Sequence, residues 1–566
     1  MSPINTQGCD QASIHNLPNE ILEDIFLINT SKSVEQNRPY DPHSTTLATS
    51  QVCQRWRAVA LDYPVIWSRI INYEQHSPSW IETLLARSGS ALIDVGGDSA
   101  FQSVTLEPPR SKLVLQSIFQ RIASLKTVSL HVRRVPWDSI CRSFLGRPAP
   151  NLEFLTLIKS LSFPDCHHPN PLFADQAPCL RRLHLEKCLI DFSSSVLFNL
   201  TELSVRDVLP IVSTPAHSYR LRLVPSVAEW LRILKNIPAL RFLTLISAIS
   251  YFTENDPSPP LPVVDLPQLA LLTISTSFYS GISLIDHLNI PPSCGIELWL
   301  YPSHCRSSQA VSSLDDPKLM LPFLSKQLLH WPQNYTHRYL QAKILQANGS
   351  KIHFGNSKRI GQVSRTTESD EVEAHSLYSK DPILSLVLRF DHSEDSFAFF
   401  NQLLELYSCT FSTTTTLDLW VDQESAGTAT TNSNSGSFPA FPTFQSFTNV
   451  KTLNLLERSP LYLLPLFQQH SSLLPLFPAL KSLHLTGTIM DDALHNEFAG
   501  FLLKRAQAGL SPLSEIKILG GYISKESAEG LSRFGNLLVS LDPMPFGLRH
   551  VLRNGDDVRL GYHGNY

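Results

Sequence analysis

One leucine motif, P-x-L-x-x-L-x-L, recurs along most of this chain of 566 residues and restricts its possible folds more than any other feature. Close copies that keep the leading proline lie at 150–157, 178–185, 238–245, 267–274 and 478–485. Looser copies lie at 123–130, 198–205, 294–300, 413–420, 448–455 and 513–519. Several neighbouring copies are roughly 27 to 30 residues apart, a spacing typical of a chain that stacks one structural unit repeatedly.

Each copy predicts a β-strand, because in L-x-L the two leucines point to one side and the residue between them points to the other. Stacked copies predict a parallel sheet with a continuous leucine core, and helical segments such as 227–234 would form an outer layer. The motif resembles the strand segment of leucine-rich repeats, in their irregular, longer-period form, over about residues 111–545. This resemblance implies an α/β solenoid with a parallel sheet and outer helices.

Residues 13–75 have a helical pattern instead. Pro18 opens an amphipathic helix, and we expect its apolar residues on one face: Ile21, Leu22, Ile25 and Phe26. A polar loop over 29–46 precedes a second predicted helix, whose apolar residues recur every four positions: Ala48, Val52, Trp56 and Ala60. Pro64 then starts a short turn that contains Ile66 and Trp67. So small a module cannot hide this much apolar surface alone.

The order of the segments LPNEIL, QVCQRWRAVA and YPVIW resembles the F-box. The loop between the helices is longer than in the shortest members of that family and resembles the loops common in fungal F-box proteins. The resemblance implies docking on a Skp-type adaptor, which joins the cullin and RING subunits of a ubiquitin ligase. The matching positions are Leu17, Pro18, Ile21, Leu22, Ile25, Val52, Cys53, Trp56 and Trp67. A generic helical cap is the alternative, and Cys53 is interpreted as a small apolar core residue.

The predicted domain organisation follows from these patterns. The chain is divided into a disordered tail at 1–12, the all-α F-box-like module at 13–75, a linker and first cap at 76–110, the solenoid at 111–545, and a C-terminal cap or tail at 546–566. Two polar stretches inside the solenoid, at about 345–380 and 421–440, are predicted to be surface loops.

Charge and cysteine usage restrict the function classes. Lys plus Arg total 46 against 50 for Asp plus Glu, which gives no electrostatic reason to expect nucleic acid or an anionic membrane as a partner. The 9 cysteines form no CxxC pair, so a reducing compartment is favoured over a disulfide framework. The polar start and the absence of a long apolar run predict neither a signal peptide nor a membrane span, and hence a cytoplasmic or nuclear protein.

Catalytic signatures are not found in the sequence, which has no HExxH, GxSxG, P-loop or GxGxxG motif. We therefore predict no catalytic residues, no metal site and no cofactor. The run Cys166-His167-His168 is interpreted as a surface loop rather than a metal site, because adjacent histidine side chains diverge.

The preferred interpretation is a non-catalytic substrate-recognition subunit of a Skp–cullin–RING ubiquitin ligase, whose solenoid holds an unknown target protein. A repeat scaffold without a ubiquitin role is the alternative. No set of catalytic residues in the sequence supports a hydrolase or a transferase. The residues between the motif leucines are expected to bind the target: Phe154, Thr156, Arg182, His184, Phe242, Thr244, Trp299, Asn454 and His484. The loop at 345–380 is the alternative location.

Overall fold

The computed structural model divides the chain into two compact units. The first contains residues 1–210, 214–225 and 232–242, and the second contains 211–213, 226–231 and 243–566. The structure describes residues 17–30, 42–96, 104–106, 110–132, 144–159, 171–208, 224–250, 260–291, 293–301, 339–345, 350–355, 384–390, 414–422, 447–456, 459–460, 464, 477–519, 522–532 and 538–542. The predicted tails at 1–12 and 546–566, and Cys166-His167-His168, lie outside these ranges.

The described α-helices cluster at the start of the chain and then alternate with strands. They are α1 Asn19–Asn29, α2 Pro42–Thr49, α3 Gln54–Asp62, α4 Pro64–Arg69, α5 Pro78–Arg87, α6 Arg110–Gln120, α7 Val227–Lys235, α8 Phe278–Asp286, α9 Asp492–Gln507 and α10 Lys525–Ser532. Short 3-10 helices lie at Ile122–Ser124, Leu172–Asp175 and Ser195–Asn199.

The second predicted helix of the module is in fact two helices, α2 and α3. Cys53 interrupts it with an extended backbone and caps α3, its sulfur accepting a hydrogen bond from the Trp56 N–H at 3.5 Å. Cys53 is therefore a half-buried capping residue rather than the predicted core residue. The predicted loop 29–46 is also shortened, because α2 already begins at Pro42.

The described strands include one at every copy of the leucine motif. They are β1 Ile93–Val95, β2 Val104–Leu106, β3 Leu125–Val132, β4 Phe154–Lys159, β5 Arg182–Glu186, β6 Glu202–Arg206, β7 Phe242–Ile246, β8 Val264–Asp265, β9 Leu271–Ser277, β10 Leu288–Asn289, β11 Gly295–Tyr301, β12 Tyr339–Leu345, β13 Ser350–Gly355, β14 Leu384–Phe390, β15 Thr416–Asp422, β16 Thr452–Leu456, β17 Ser482–Thr486, β18 Ile489–Met490, β19 Glu515–Leu519, β20 Tyr522–Ile523 and β21 Leu538–Asp542.

In the first unit, β1 and β2 pair with β3, and β3 to β6 pair in chain order, all in parallel. The register aligns equivalent motif positions of neighbouring copies. One core row contains Val128, Leu155, Leu183 and Leu203, and the next contains Leu130, Leu157, Leu185 and Val205. All eight side chains are fully buried, so these leucine positions form one continuous core.

In the second unit, β9, β11 and β14 are parallel neighbours, and β12, β15, β16, β17, β19 and β21 form a parallel series. Leu453, Leu455, Leu483, Leu485 and Ile516 are fully buried. The prediction of a mostly parallel sheet with helices is confirmed. β13 is an exception, because it is antiparallel to both β12 and β14.

Part of the predicted loop at 345–380 is therefore strand β13, in which Ile352 and Phe354 alternate with polar residues. The other predicted loop, 421–440, begins with the last residues of β15, and its residues from 423 onward lie outside the described ranges. The predicted linker at 76–110 contains α5, β1 and β2. Of these, β1 and β2 pair directly with β3.

Helix α7 illustrates how the layer beside the sheet is fixed. Ser226 and Glu229 form a capping box, in which the Glu229 carboxylate accepts from the Ser226 N–H at 2.7 Å. The indole N–H of Trp230 donates to the Ala248 carbonyl at 2.9 Å, and the Trp230 side chain is fully buried. Burial of an aromatic ring with its polar group satisfied stabilises the docking of this helix.

Candidate functional site

An exposed apolar stripe runs along α1. Ile21 is 43 % exposed and Ile28 is 70 % exposed, Ile25 lies half-buried between them, and Pro18 is exposed just before the helix begins. Spacings of four and three residues place the three isoleucines on one side of the helix. We call Pro18, Ile21, Ile25 and Ile28 the apolar stripe. So much uncovered apolar surface on one helix is typical of a site that another molecule covers.

The opposite face of α1 packs inside the module. Leu22 and Phe26 are buried, so the expectation that they share one face with Ile21 and Ile25 is wrong. Successive residues of a helix are about 100° apart. The pair Ile21 and Ile25 and the pair Leu22 and Phe26 therefore lie on different faces. Ile28, which sequence analysis missed, extends the exposed series by one turn, and its spacing from Ile21 was the available signal.

Two tryptophans, Trp56 of α3 and Trp67 of α4, lie in the core beneath the buried face of α1. The Phe26 and Trp56 rings meet edge to face at 5.5 Å between centroids. Trp67 is buried in α4 and its indole N–H donates to the Ala60 carbonyl of α3 at 2.7 Å. Three of the predicted adaptor-binding residues, Leu22, Trp56 and Trp67, therefore lie in the module core. Their role is to hold the stripe in place rather than to contact a partner.

Arg55 joins the starts of α1 and α3. Its guanidinium donates to the Asn19 side-chain oxygen at 2.9 Å from Nη2 and at 3.3 Å from Nε, and Nη2 also donates to the Leu17 carbonyl. These bonds fix the backbone immediately before Pro18. Sequence analysis did not select Arg55, because it lies on the polar side of its helix and only the tertiary fold brings Leu17 to it.

The remaining predicted adaptor-binding residues differ in exposure. Val52 is 59 % exposed in the turn between α2 and α3, Leu17 is half-buried, and Cys53 has the capping role described above. Of the predicted adaptor-binding residues, the accessible ones are thus Pro18, Ile21 and Ile25 of the apolar stripe, with Leu17 and Val52.

The second candidate site is the polar face of the sheet, formed by the residues that alternate with the motif leucines. In the first unit its middle row contains Ser129, Thr156, His184 and Ser204, aligned on neighbouring strands, and all four are buried. Phe154 is buried too, and the half-buried Arg182 guanidinium lies 4.5 Å from its ring centroid. Phe154, Thr156 and His184 therefore cannot form the open target-binding surface predicted for them.

Burial controls the ionisation of this first-unit face. It lowers the pKa of His184 to about 3, and the neighbouring Arg206 adds to the effect. The Arg206 Nε donates to the Ser204 hydroxyl at 3.1 Å. Burial also raises the pKa of Glu202, against the opposing effect of Arg182 and Arg206. His184 is consequently neutral at pH 7.

The polar face of the second unit is more open. Its middle row contains Asp418, Asn454, His484 and Lys517, aligned on β15, β16, β17 and β19 and all half-buried. The Asn454 amide nitrogen donates to the Asp418 carboxylate, and the His484 Nε2 lies 3.7 Å from the Glu515 carboxylate. The other predicted target-binding residues, Phe242, Thr244 and Trp299, are also half-buried.

Among the residues that the structure describes, no group of three or more His, Cys, Asp or Glu could hold a metal ion. Burial raises the pKa of the Cys294 thiol to about 12, so it is protonated at pH 7. None of the helices in the described part of the chain combines the length and hydropathy of a membrane span.

Comparison with known proteins assigns the helical module. The family model described as F-box-like matches residues 14–72, which include α1 to α4, the apolar stripe and both supporting tryptophans. A search of curated proteins finds no match for the chain. Its N-terminal helical module is an F-box-like domain.

Proposed function

We propose that this protein is the substrate-recognition subunit of a Skp–cullin–RING ubiquitin ligase. The apolar stripe is the observation that supports the proposal best. It lies within the F-box-like match, where docking on a Skp-type adaptor is the typical role. An amphipathic helix with an uncovered apolar face binds by burying that face in a partner's groove. Cullin and RING subunits would then be reached through the adaptor.

The contribution of the chain to ubiquitin transfer would be proximity. A target held on the receptor has a high effective concentration near the E2 enzyme that the RING subunit recruits. Under this proposal no residue of the chain is catalytic. The balanced charge and a cysteine pattern without CxxC are compatible with the cytoplasm or the nucleus as the place of action.

The sheet would hold the target. Regular spacing of the leucine motif and the aligned parallel register of its copies support a leucine-rich-repeat-like solenoid. On its second-unit polar face, Asn454 and His484 are accessible, and a carboxylate lies beside each: Asp418 accepts from Asn454, and Glu515 is 3.7 Å from His484. We therefore expect recognition by hydrogen bonds together with these charges, and binding that weakens as salt is raised. Phe242, Thr244 and Trp299 are the other accessible candidates.

Calorimetry with a purified Skp-type adaptor and the full chain tests the docking step. Changing Ile21 and Ile28 together to Ser should weaken binding at least about tenfold, because two side chains lose most of their apolar burial. Leu113→Ser is the matched control, since Leu113 is a 53 % exposed apolar residue of α6 outside the domain. If the unaltered chain does not bind the adaptor, the alternative of a repeat scaffold without a ubiquitin role is favoured.

A further inference from the structure

Helix α5 lies beyond the F-box-like match, which ends at residue 72, yet it packs directly on that domain. Its apolar face, Ile81, Leu84 and Leu85, is buried. Ser77 caps its start, and its last residue, Arg87, reaches back to the matched segment. α5 therefore packs on the F-box-like domain, although it follows the matched residues in sequence.

Arg87 lies close to two indole rings. Its guanidinium carbon is 4.6 Å from the Trp67 centroid and 5.6 Å from the Trp80 centroid. Each distance is within the range in which a cation is attracted to an aromatic face. Trp67 is the buried residue of α4 that donates to Ala60 of α3. Arg87 thus connects α5 to α4 and, through Trp67, to α3.

Trp80 makes a second connection, to α2. Its indole N–H donates to the His43 Nε2 at 3.0 Å, and the two rings meet edge to face at 6.0 Å between centroids. Because an indole nitrogen can only donate, this nitrogen of His43 must be the unprotonated acceptor. α5 is in this way tied to α2 at one point and to α4 at another.

The helices that α5 connects are those on which α1 rests. α1 packs against α2, α3 and α4, and the apolar stripe is on its far side. We propose that α5 completes the adaptor-docking module and that Arg87 and Trp80 are positioning residues, which hold α2 and α4 at the spacing that α1 needs. The inference rests on the proposed adaptor docking. A preformed stripe binds more tightly than one that must be ordered on binding.

The experiment compares full-length variants by calorimetry with purified Skp-type adaptor and by hydrogen exchange without adaptor. Arg87→Leu removes the cation and should weaken adaptor binding about two- to thirtyfold, the range of one cation–π contact. Trp80→Phe keeps an aromatic ring but loses the donor to His43, with an expected loss of about two- to tenfold. Arg87→Lys retains the cation and should restore most of the affinity. Arg69→Leu, at an exposed arginine of α4, is the control.

Hydrogen exchange separates positioning from general destabilisation. In Arg87→Leu the α1 amides should exchange faster, whereas the β4 amides should match those of the unaltered chain. Affinity and α1 exchange equal to those of Arg69→Leu would overturn the inference, as would faster exchange throughout the first unit. If the unaltered chain fails to bind adaptor, the proposed function fails, and α1 exchange alone still decides whether α5 holds α1.

Discussion

His184 and His484 occupy the same position of the leucine motif, in PCLRRLHL and PALKSLHL, but lie in different surroundings. His184, in the first unit, is buried between Thr156 and Ser204, and its pKa is lowered to about 3. His484, in the second unit, has a 26 % exposed side chain beside Asn454 and Lys517. The flanking leucines, Leu183 and Leu483, are equally buried. The motif therefore determines the strand and its core face, while the exposure of the other face varies between copies.

The largest expected difference concerns a fixed charge on the polar face. His184→Lys should lower the free energy of unfolding by about 3–5 kcal/mol, because it leaves an uncompensated charge in a buried site. His484→Lys should change it by less than about 0.5 kcal/mol, since the new charge stays hydrated. Denaturant titration of both variants measures the two effects. Similar values for the two would show that the faces do not differ in burial.

The core face should respond alike in both units. Leu183→Ala and Leu483→Ala each remove a fully buried motif leucine, and each should cost about 2–5 kcal/mol through lost transfer free energy and cavity formation. Ser482→Ala, on the polar face of the same strand as Leu483, is the control with little expected effect. A cost below about 1 kcal/mol for either leucine would contradict the continuous core in that unit.

The ionisation of His184 predicts a pH effect. Its folded pKa, about 3, is below the ordinary value of 6.5, so the unfolded chain binds more protons between these values. The contribution of this pKa difference to the free energy of unfolding is fully present above pH 6.5. It decreases as pH falls, by about 1–2 kcal/mol between pH 6.5 and 5. His184→Gln should remove this component, whereas His484→Gln should leave it in place. An unchanged pH profile in His184→Gln would show that His184 is accessible to protons in the folded state.

The smallest effect concerns one buried hydroxyl. Thr156 Oγ1 is shielded from water and has no hydrogen-bond partner among the residues that the structure describes. Thr156→Val replaces the hydroxyl with a methyl group of the same shape, so stability should be unchanged or rise by up to about 1 kcal/mol. Thr452→Val, at a half-buried position of the second unit, should have no measurable effect. A loss above about 1 kcal/mol in Thr156→Val would mean that the hydroxyl is satisfied in solution.

Local patterns predicted the elements well. The alternation around Leu155 and Leu157 places both in the core because a strand's side chains alternate with a period of two, whatever surrounds it. Pro64 marks the start of the segment that contains Trp67, although this segment is the helix α4 rather than the predicted turn. The break at Cys53 was not predicted, because the four-residue spacing of apolar residues continues unchanged across it.

In the candidate docking site, the sequence determined the amphipathic α1 and the segment from Pro64 that contains Trp67. Apolar periodicity and a leading proline are properties of short segments. Tertiary structure decided which apolar residues are covered. Packing against Trp56 separates Phe26 from Ile25, and the fold brings Arg55 to Leu17. Tertiary contacts of Arg87 and Trp80 join α5 to the module. For the polar face, the sequence determined which residues alternate with the leucines. Whether they reach solvent depends on tertiary packing, which no local pattern encodes.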